Sequence, residues 1–125
     1  MAFTGQPTPS TIINISSGKI SDGKSVRLTA TDEVAQGNFY QIGGFFGLAN
    51  QDAAVGEEVV LAIEQAEYET NQIKTDEEFA VGTSIYFDAA SKVLTETVGT
   101  NKKVGIVSSA KDSNNVIWFV LGPQV

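Results

Sequence analysis

Apolar and polar residues alternate along most of this chain with a period of two, which is typical of β-strands. Residues 25–30 alternate strictly, so a strand with one buried face is predicted there. Residues 39–42 form a short aromatic and β-branched run that ends at a Gly-Gly pair. Residues 59–63 are apolar throughout and predict an interior strand, because such a strand is covered on both faces.

Two further pairs of β-prone runs are separated by polar turn residues, which predicts hairpins. The first pair joins residues 83–87 to residues 92–95, and the second joins residues 104–107 to residues 116–121. Residues 64–74 are fair helix formers by composition, but their apolar positions also alternate. This segment is therefore interpreted as a strand with a polar face.

Short strands punctuated by Gly, Asn and Asp predict an all-β fold, a small compact β-sandwich or barrel with little helix. One helical turn is predicted at residues 50–54. At 125 residues the chain has the length of one domain and can bury a core without disulfide bonds. Residues 18–125 are interpreted as that single β-domain.

Residues 1–17 differ in character and predict an extended amino-terminal arm. Pro7 and Pro9 cannot pair as an interior strand and favour extended backbone. The apolar, β-prone segment at residues 11–15 must be buried against something, and one way is to add a strand to the sheet of a partner protein. The candidate contact residues of the arm are Phe3, Thr8, Thr11, Ile12, Ile13 and Ile15. The alternative, a frayed terminus followed by the domain's own first strand, is left open by the sequence.

Composition removes several classes of function. The chain has no cysteine and no histidine, so thiolate chemistry and most triads and zinc sites are excluded. The formal net charge of −7 repels phosphate, so nucleic acid is not an expected partner. Neither a signal-peptide pattern nor an apolar run of about 18 residues occurs, so we expect neither export nor a membrane partner.

Residues 18–25 match the phosphate-binding pattern G-x-x-x-x-G-K-[ST] letter for letter. In a nucleotide-binding protein this loop continues into a helix, whose amino terminus forms part of the anion site. Here the residues after Ser25 alternate as a strand. The segment is therefore interpreted as a tight type I′ hairpin turn around Asp22 and Gly23, and nucleotide binding stays an alternative.

The acidic residues supply candidate carboxylates for glycoside hydrolysis or calcium binding, at positions 57, 58, 64, 67, 69 and 76–78. No calcium-loop motif occurs among them, and charged residues mostly lie in solvent. The prediction is a solvated acidic face, with no catalytic residue, no metal and no cofactor.

The positions of three aromatic residues in predicted strands indicate where their side chains lie. Trp118 lies in the most apolar strand and is interpreted as core. Phe45 and Phe46 are adjacent, and neighbouring strand residues point to opposite faces, so both cannot point inward. They are candidate oligomer-interface residues, because exposed aromatics often anchor interfaces. The alternative is that both pack against a turn.

From about Val34 onward the order of motifs resembles the phage capsid cement family. The similar motifs lie at residues 34–40, 43–49, 52–59, 79–88, 92–95 and 103–106. The resemblance implies a compact β-domain, often a trimer, that binds the major capsid protein on the outer capsid surface and reinforces the expanded shell. Members are often labelled as recombinases, a label that neither the acidic charge nor the strand after Ser25 supports.

The resemblance also implies a location. The protein would be made in the host cytoplasm and end on the virion. Two alternatives stay open at this point: a nucleotide-binding phage protein that uses residues 18–25, and a virion β-domain that binds the host surface.

Overall fold

A computed structural model describes residues 20–124 and shows an all-β fold, as predicted. Within that range there are nine strands and no helix. The strands are β1 (Ser25–Thr29), β2 (Phe39–Ile42), β3 (Phe45–Ala49), β4 (Glu58–Ala62), β5 (Glu67–Thr70), β6 (Ser84–Asp88), β7 (Val93–Thr95), β8 (Lys102–Ser109) and β9 (Ile117–Leu121). The predicted arm, residues 1–17, lies outside the described residues.

The strands form two antiparallel sheets that pack together. The first sheet has the order β1-β4-β3-β2 and the second has the order β5-β9-β8-β6-β7. Both predicted hairpins are confirmed, since β6 pairs with β7 and β8 pairs with β9. The prediction of an interior strand at residues 59–63 is confirmed by β4, which lies between β1 and β3. The strand predicted within residues 64–74 is β5, which pairs with β9.

A cluster of buried aromatic rings joins the two sheets. The Phe39 ring of β2 stacks on the Phe46 ring of β3 at a centroid distance of 5.5 Å. Phe39 also meets Phe119 of β9 edge-on at 5.3 Å, and Phe46 meets Phe87 of β6 at 5.0 Å. Because each ring buries a large apolar area, the sheets cannot separate without exposing this cluster to water.

A second, smaller core lies under the first sheet. Its buried members are Ala30, Val34, Ile42, Ala49, Ala53, Val59 and Leu61. The strict alternation predicted for residues 25–30 is confirmed here, because Val26 and Leu28 pack against this cluster while their neighbours in β1 are exposed.

Three strands begin after the same kind of turn. In each turn the first residue is alanine and the third is glycine. The amide of the fourth residue donates to the carbonyl of the first. The three hydrogen bonds run from Asn38 to Ala35 (3.3 Å), from Glu57 to Ala54 (3.0 Å) and from Thr83 to Ala80 (3.1 Å). The glycines have φ angles near +90°, at Gly37, Gly56 and Gly82. A positive φ at the third position is typical of a type II turn and favours glycine there.

Two local predictions are wrong. Residues 50–54 do not form a helical turn, because Ala53 forms an antiparallel bridge with Val34 in which each amide donates to the other's carbonyl. The type I′ turn is also wrong. Gly23 has a φ of 69°, but Asp22 is not among the described residues with positive φ, and that turn type needs both. Instead the Gly23 amide donates to Ser21 Oγ at 3.1 Å.

Candidate interaction surface

Strand β9 presents apolar side chains on both of its faces. Ile117, Phe119 and Leu121 are buried in the core between the sheets. Because side chains alternate along a strand, Trp118 and Val120 point the other way, and they are 48% and 45% exposed. The prediction that Trp118 belongs to the core is therefore wrong. Residues 116–121 are all apolar, so the sequence of this strand carries no signal that would have placed Trp118 on the outer face.

The neighbouring strand extends this exposed apolar surface. Ile106 of β8 is the register partner of Val120, and it is 44% exposed. Ile106, Trp118 and Val120 thus form one apolar group on the outside of the second sheet, called the outer patch below. Single exposed apolar residues are ordinary, whereas a contiguous group marks an interaction site.

A groove of about 420 Å³ lies beside the outer patch. It is lined by Gln65, Lys103, Gly105, Ile106, Val120 and Pro123. Gly105 is required here, because a Cβ atom on it would meet the backbone carbonyl oxygen of Val120 and would lie 3.3 Å from the Phe119 ring. The missing side chain lets β8 and β9 approach closely at this point.

Charges of opposite sign flank the outer patch. On the β5 side, Glu67 and Glu69 are exposed and are the register partners of Val120 and Trp118. On the other side, exposed Lys103 lines the groove. The Glu67 side chain reaches across β9, where its Oε2 accepts a hydrogen bond from Ser108 Oγ of β8 at 2.6 Å, so Glu69 is the free carboxylate of this flank within the described residues. Within the part of the chain that the structure describes, Glu69 and Lys103 make no ion pair.

Tyr68 anchors β5 from the inner side. Its ring lies 5.7 Å from the Phe39 ring and 5.9 Å from the Phe119 ring, and its hydroxyl donates to the Glu64 carbonyl at 3.0 Å. Burial raises the pKa of Tyr68 above its usual value, and the negative charge of Glu64 raises it further. The neutral phenol is therefore part of what holds the acidic flank in position.

The structure separates the two adjacent phenylalanines, as strand geometry requires. Phe46 is fully buried between the sheets, and its amide donates to Gln124 Oε1 at 3.0 Å. It has no surface to offer a second protein, so its prediction as an oligomer-interface residue is corrected to a core role. Phe45 is half-buried, and its interface role stays a prediction. The predicted arm residues Phe3, Thr8, Thr11, Ile12, Ile13 and Ile15 lie outside the described residues.

The segment that matches the phosphate-binding pattern does not have the structure that nucleotide binding needs. Ser25 is the first residue of β1, so a strand follows the loop where a helix would be required. Lys24 Nζ lies 3.8 Å from Glu64 Oε2, and the Lys24 carbonyl accepts the Ile63 amide at 3.0 Å. The nucleotide-binding alternative is not supported.

Acidic side chains also line a pocket of about 530 Å³ under the first sheet, beside Tyr40. Two of these carboxylates hold turns in place: Asp52 Oδ1 accepts the Gln36 amide at 2.8 Å, and Glu57 Oε1 accepts the Ala54 amide at 2.7 Å. Across residues 20–124 there is no group of His, Cys, Asp and Glu that could hold a metal ion. The same range has no helix long and apolar enough to cross a membrane.

Comparison with protein families gives a match over most of the chain. The family model described as phage cement protein matches residues 20–122, which include all nine strands of the described range. No curated protein sequence matches the chain.

Proposed function

Because the chain belongs to the phage cement protein family, we propose that it binds the outer surface of a phage capsid and stabilises the expanded shell. The match across residues 20–122 is the observation that carries this proposal. The protein would be made in the host cytoplasm, contact the major capsid protein and act by binding alone, without a catalytic residue or a cofactor.

The physical chemistry of the described surface supports a role in binding. Capsid attachment needs contact area, since apolar burial contributes about 25 cal/mol per Å² before the costs of ordering are subtracted. The aromatic cluster between the sheets gives a stable body that carries exposed side chains such as Trp118 on a paired strand. An ordered surface loses less conformational entropy when it binds.

We assign the capsid contact to residues 1–17, with residues 18–125 as the β-domain. The apolar side chains Phe3, Ile12, Ile13 and Ile15 would enter the contact, with Thr8 and Thr11 on the same segment. An extended segment of this kind binds by adding a strand to a partner's sheet, where backbone hydrogen bonds supply affinity and alternate side chains supply specificity.

We further propose a homo-oligomer, a trimer, as the form that decorates the shell. Several copies in one particle engage several capsid subunits at once, and this multivalency raises the overall affinity even when each contact is weak. Phe45, half-buried in β3, is one residue that such a contact would cover.

Cosedimentation with undecorated, expanded capsids tests the proposal. The full chain should bind saturably at a fixed ratio to the capsid subunits. A full-length variant with Ile12, Ile13 and Ile15 changed to serine should keep the circular dichroism spectrum of the wild type and lose binding. The matched control is Val98→Ser, which changes an exposed apolar residue elsewhere and should bind normally.

The outcomes separate the parts of the proposal. Failure of the folded full chain to bind capsids would overturn the cement role. Undiminished binding by the serine variant would keep the cement role and remove the arm from it.

A further inference from the structure

We propose that the outer patch contacts a second copy of this chain, so that Lys103 of one copy meets Glu69 of the next. The proposal deepens the homo-oligomer part of the proposed function by locating its interface. It does not depend on capsid binding.

The first support is the exposed tryptophan. Trp118, Val120 and Ile106 each leave close to half of their surface in water, although the same strands bury their other faces completely. Tryptophan is among the residues most enriched in the energetic centres of protein interfaces, where neighbouring apolar side chains exclude water around it. The outer patch has this composition, with one tryptophan beside two β-branched residues.

The second support is the arrangement of charge, which selects the partner. Two copies of a chain with a net charge of −7 repel each other, so they can approach only where the local charges are complementary. The outer patch has glutamates on one flank and a lysine on the other, and Glu69 and Lys103 make no ion pair within residues 20–124. A second copy supplies the missing partner for both residues.

The third support is the geometry of the flanks. Glu69 is level with Trp118, whereas Lys103 lies beyond Ile106 in the groove, so the two charges occupy opposite ends of the patch. A surface with an acid at one end and a base at the other can pair with itself in a two-fold dimer, or head to tail in a closed ring. In either assembly every copy has both flanks paired and its apolar patch covered.

A charge-reversal series on the full chain tests the pairing, with mass measured by light scattering after gel filtration over a range of concentrations. Wild type should have a multiple of the 13.3 kDa chain mass. Lys103→Glu and Glu69→Lys should each raise the concentration at the midpoint of assembly about tenfold or more, because like charges then face each other. The double variant should recover the wild-type midpoint, and a mixture of the two single variants should assemble better than either alone.

A second pair of variants tests the apolar centre. Trp118→Thr combined with Val120→Thr places β-branched threonine at both positions of β9, so the strand should still form, but the variant should have the mass of one chain. Val98→Thr, at another exposed apolar position, is the matched control and should keep the wild-type mass. Glu33→Lys serves the same purpose for the charge series, because this exposed glutamate lies in another part of the fold.

Each outcome decides the proposal. A wild-type chain that stays at 13.3 kDa at every concentration overturns it, and so does an oligomer whose mass is unchanged in the variants. If the wild type is a monomer and the threonine variant fails to cosediment with capsids, the patch binds capsid instead, which overturns this inference and leaves the proposed function intact. An oligomer that dissociates as predicted but never binds capsids supports the interface and overturns the cement role.

Discussion

The side-chain amide of Gln72 hydrogen-bonds both backbone groups of Phe39. Gln72 Oε1 accepts the Phe39 amide at 2.8 Å, and Gln72 Nε2 donates to the Phe39 carbonyl at 2.8 Å. The same Nε2 also donates to the Lys92 carbonyl at 2.9 Å. Because Phe39 begins β2 at the edge of the first sheet, and Lys92 precedes β7 of the second sheet, one side chain connects the two sheets.

Replacing this amide should destabilise the fold. Gln72→Glu keeps the shape of the side chain, but a carboxylate cannot donate, so the carbonyls of Phe39 and Lys92 lose a partner. We expect the free energy of unfolding to fall by about 1–3 kcal/mol, the usual cost of an unsatisfied polar group. Urea denaturation at pH 7 measures it, with Gln36→Glu as an exposed control. Equal stability of the Gln72 variant and the wild type would contradict this account.

The buried hydroxyl of Thr95 leads to a second prediction. Thr95 is 1% exposed, and its Oγ1 donates to the Glu77 carboxylate, with distances of 3.0 and 2.8 Å to the two oxygens. Thr95→Val conserves volume and removes this donor, so we expect a loss of about 1–3 kcal/mol in unfolding free energy. Thermal denaturation measures this loss. Thr100→Val, at an exposed loop position, is the control and should change stability little. A valine variant as stable as wild type would show that the hydroxyl is dispensable.

Gly105 provides a third prediction, because its neighbours leave no room for a Cβ atom. Gly105→Ala places a methyl group against the Val120 backbone, and the strands β8 and β9 must move apart. Overpacking of this kind costs about 1–3 kcal/mol. Gly122→Ala is the matched control, since its Cβ would lie 3.5 Å from the Val104 carbonyl oxygen, an ordinary contact. Chemical denaturation should rank the Gly105 variant well below the Gly122 variant, and the reverse order would refute the close-approach argument.

The raised pKa of Tyr68 predicts a loss of stability in alkaline solution. In the unfolded chain tyrosine has its ordinary pKa of 10.0, whereas burial keeps the folded Tyr68 protonated to higher pH. The folded state therefore binds the proton more tightly, and stability falls as the pH rises above about 10 through the folded pKa. Tyr68→Phe should show a smaller fall between pH 8 and pH 11 in urea denaturation. An identical pH dependence of the two proteins would assign the alkaline loss to other groups.

Much of the fold follows from local sequence. The hairpin of β8 and β9 could be predicted because two β-branched runs bracket a polar turn, and a turn acts over a few residues. The strand β5 could be predicted from alternation alone, although its composition favours a helix, because one face had to be buried. The sequence alone also gives the acidic net charge, the absence of cysteine and histidine, and the order of the motifs.

The tertiary structure decided which face of each strand is buried and which distant segments pair. In β9 both faces are apolar, so only packing against the aromatic cluster shows that Phe119 is inside and Trp118 outside. The bridge between Val34 and Ala53 replaced a predicted helical turn because the partner strand segment is remote in sequence. The alternation of side chains along a strand determines which residues share a face. The contacts between the sheets determine whether that face meets the core or the solvent, and therefore where the outer patch lies.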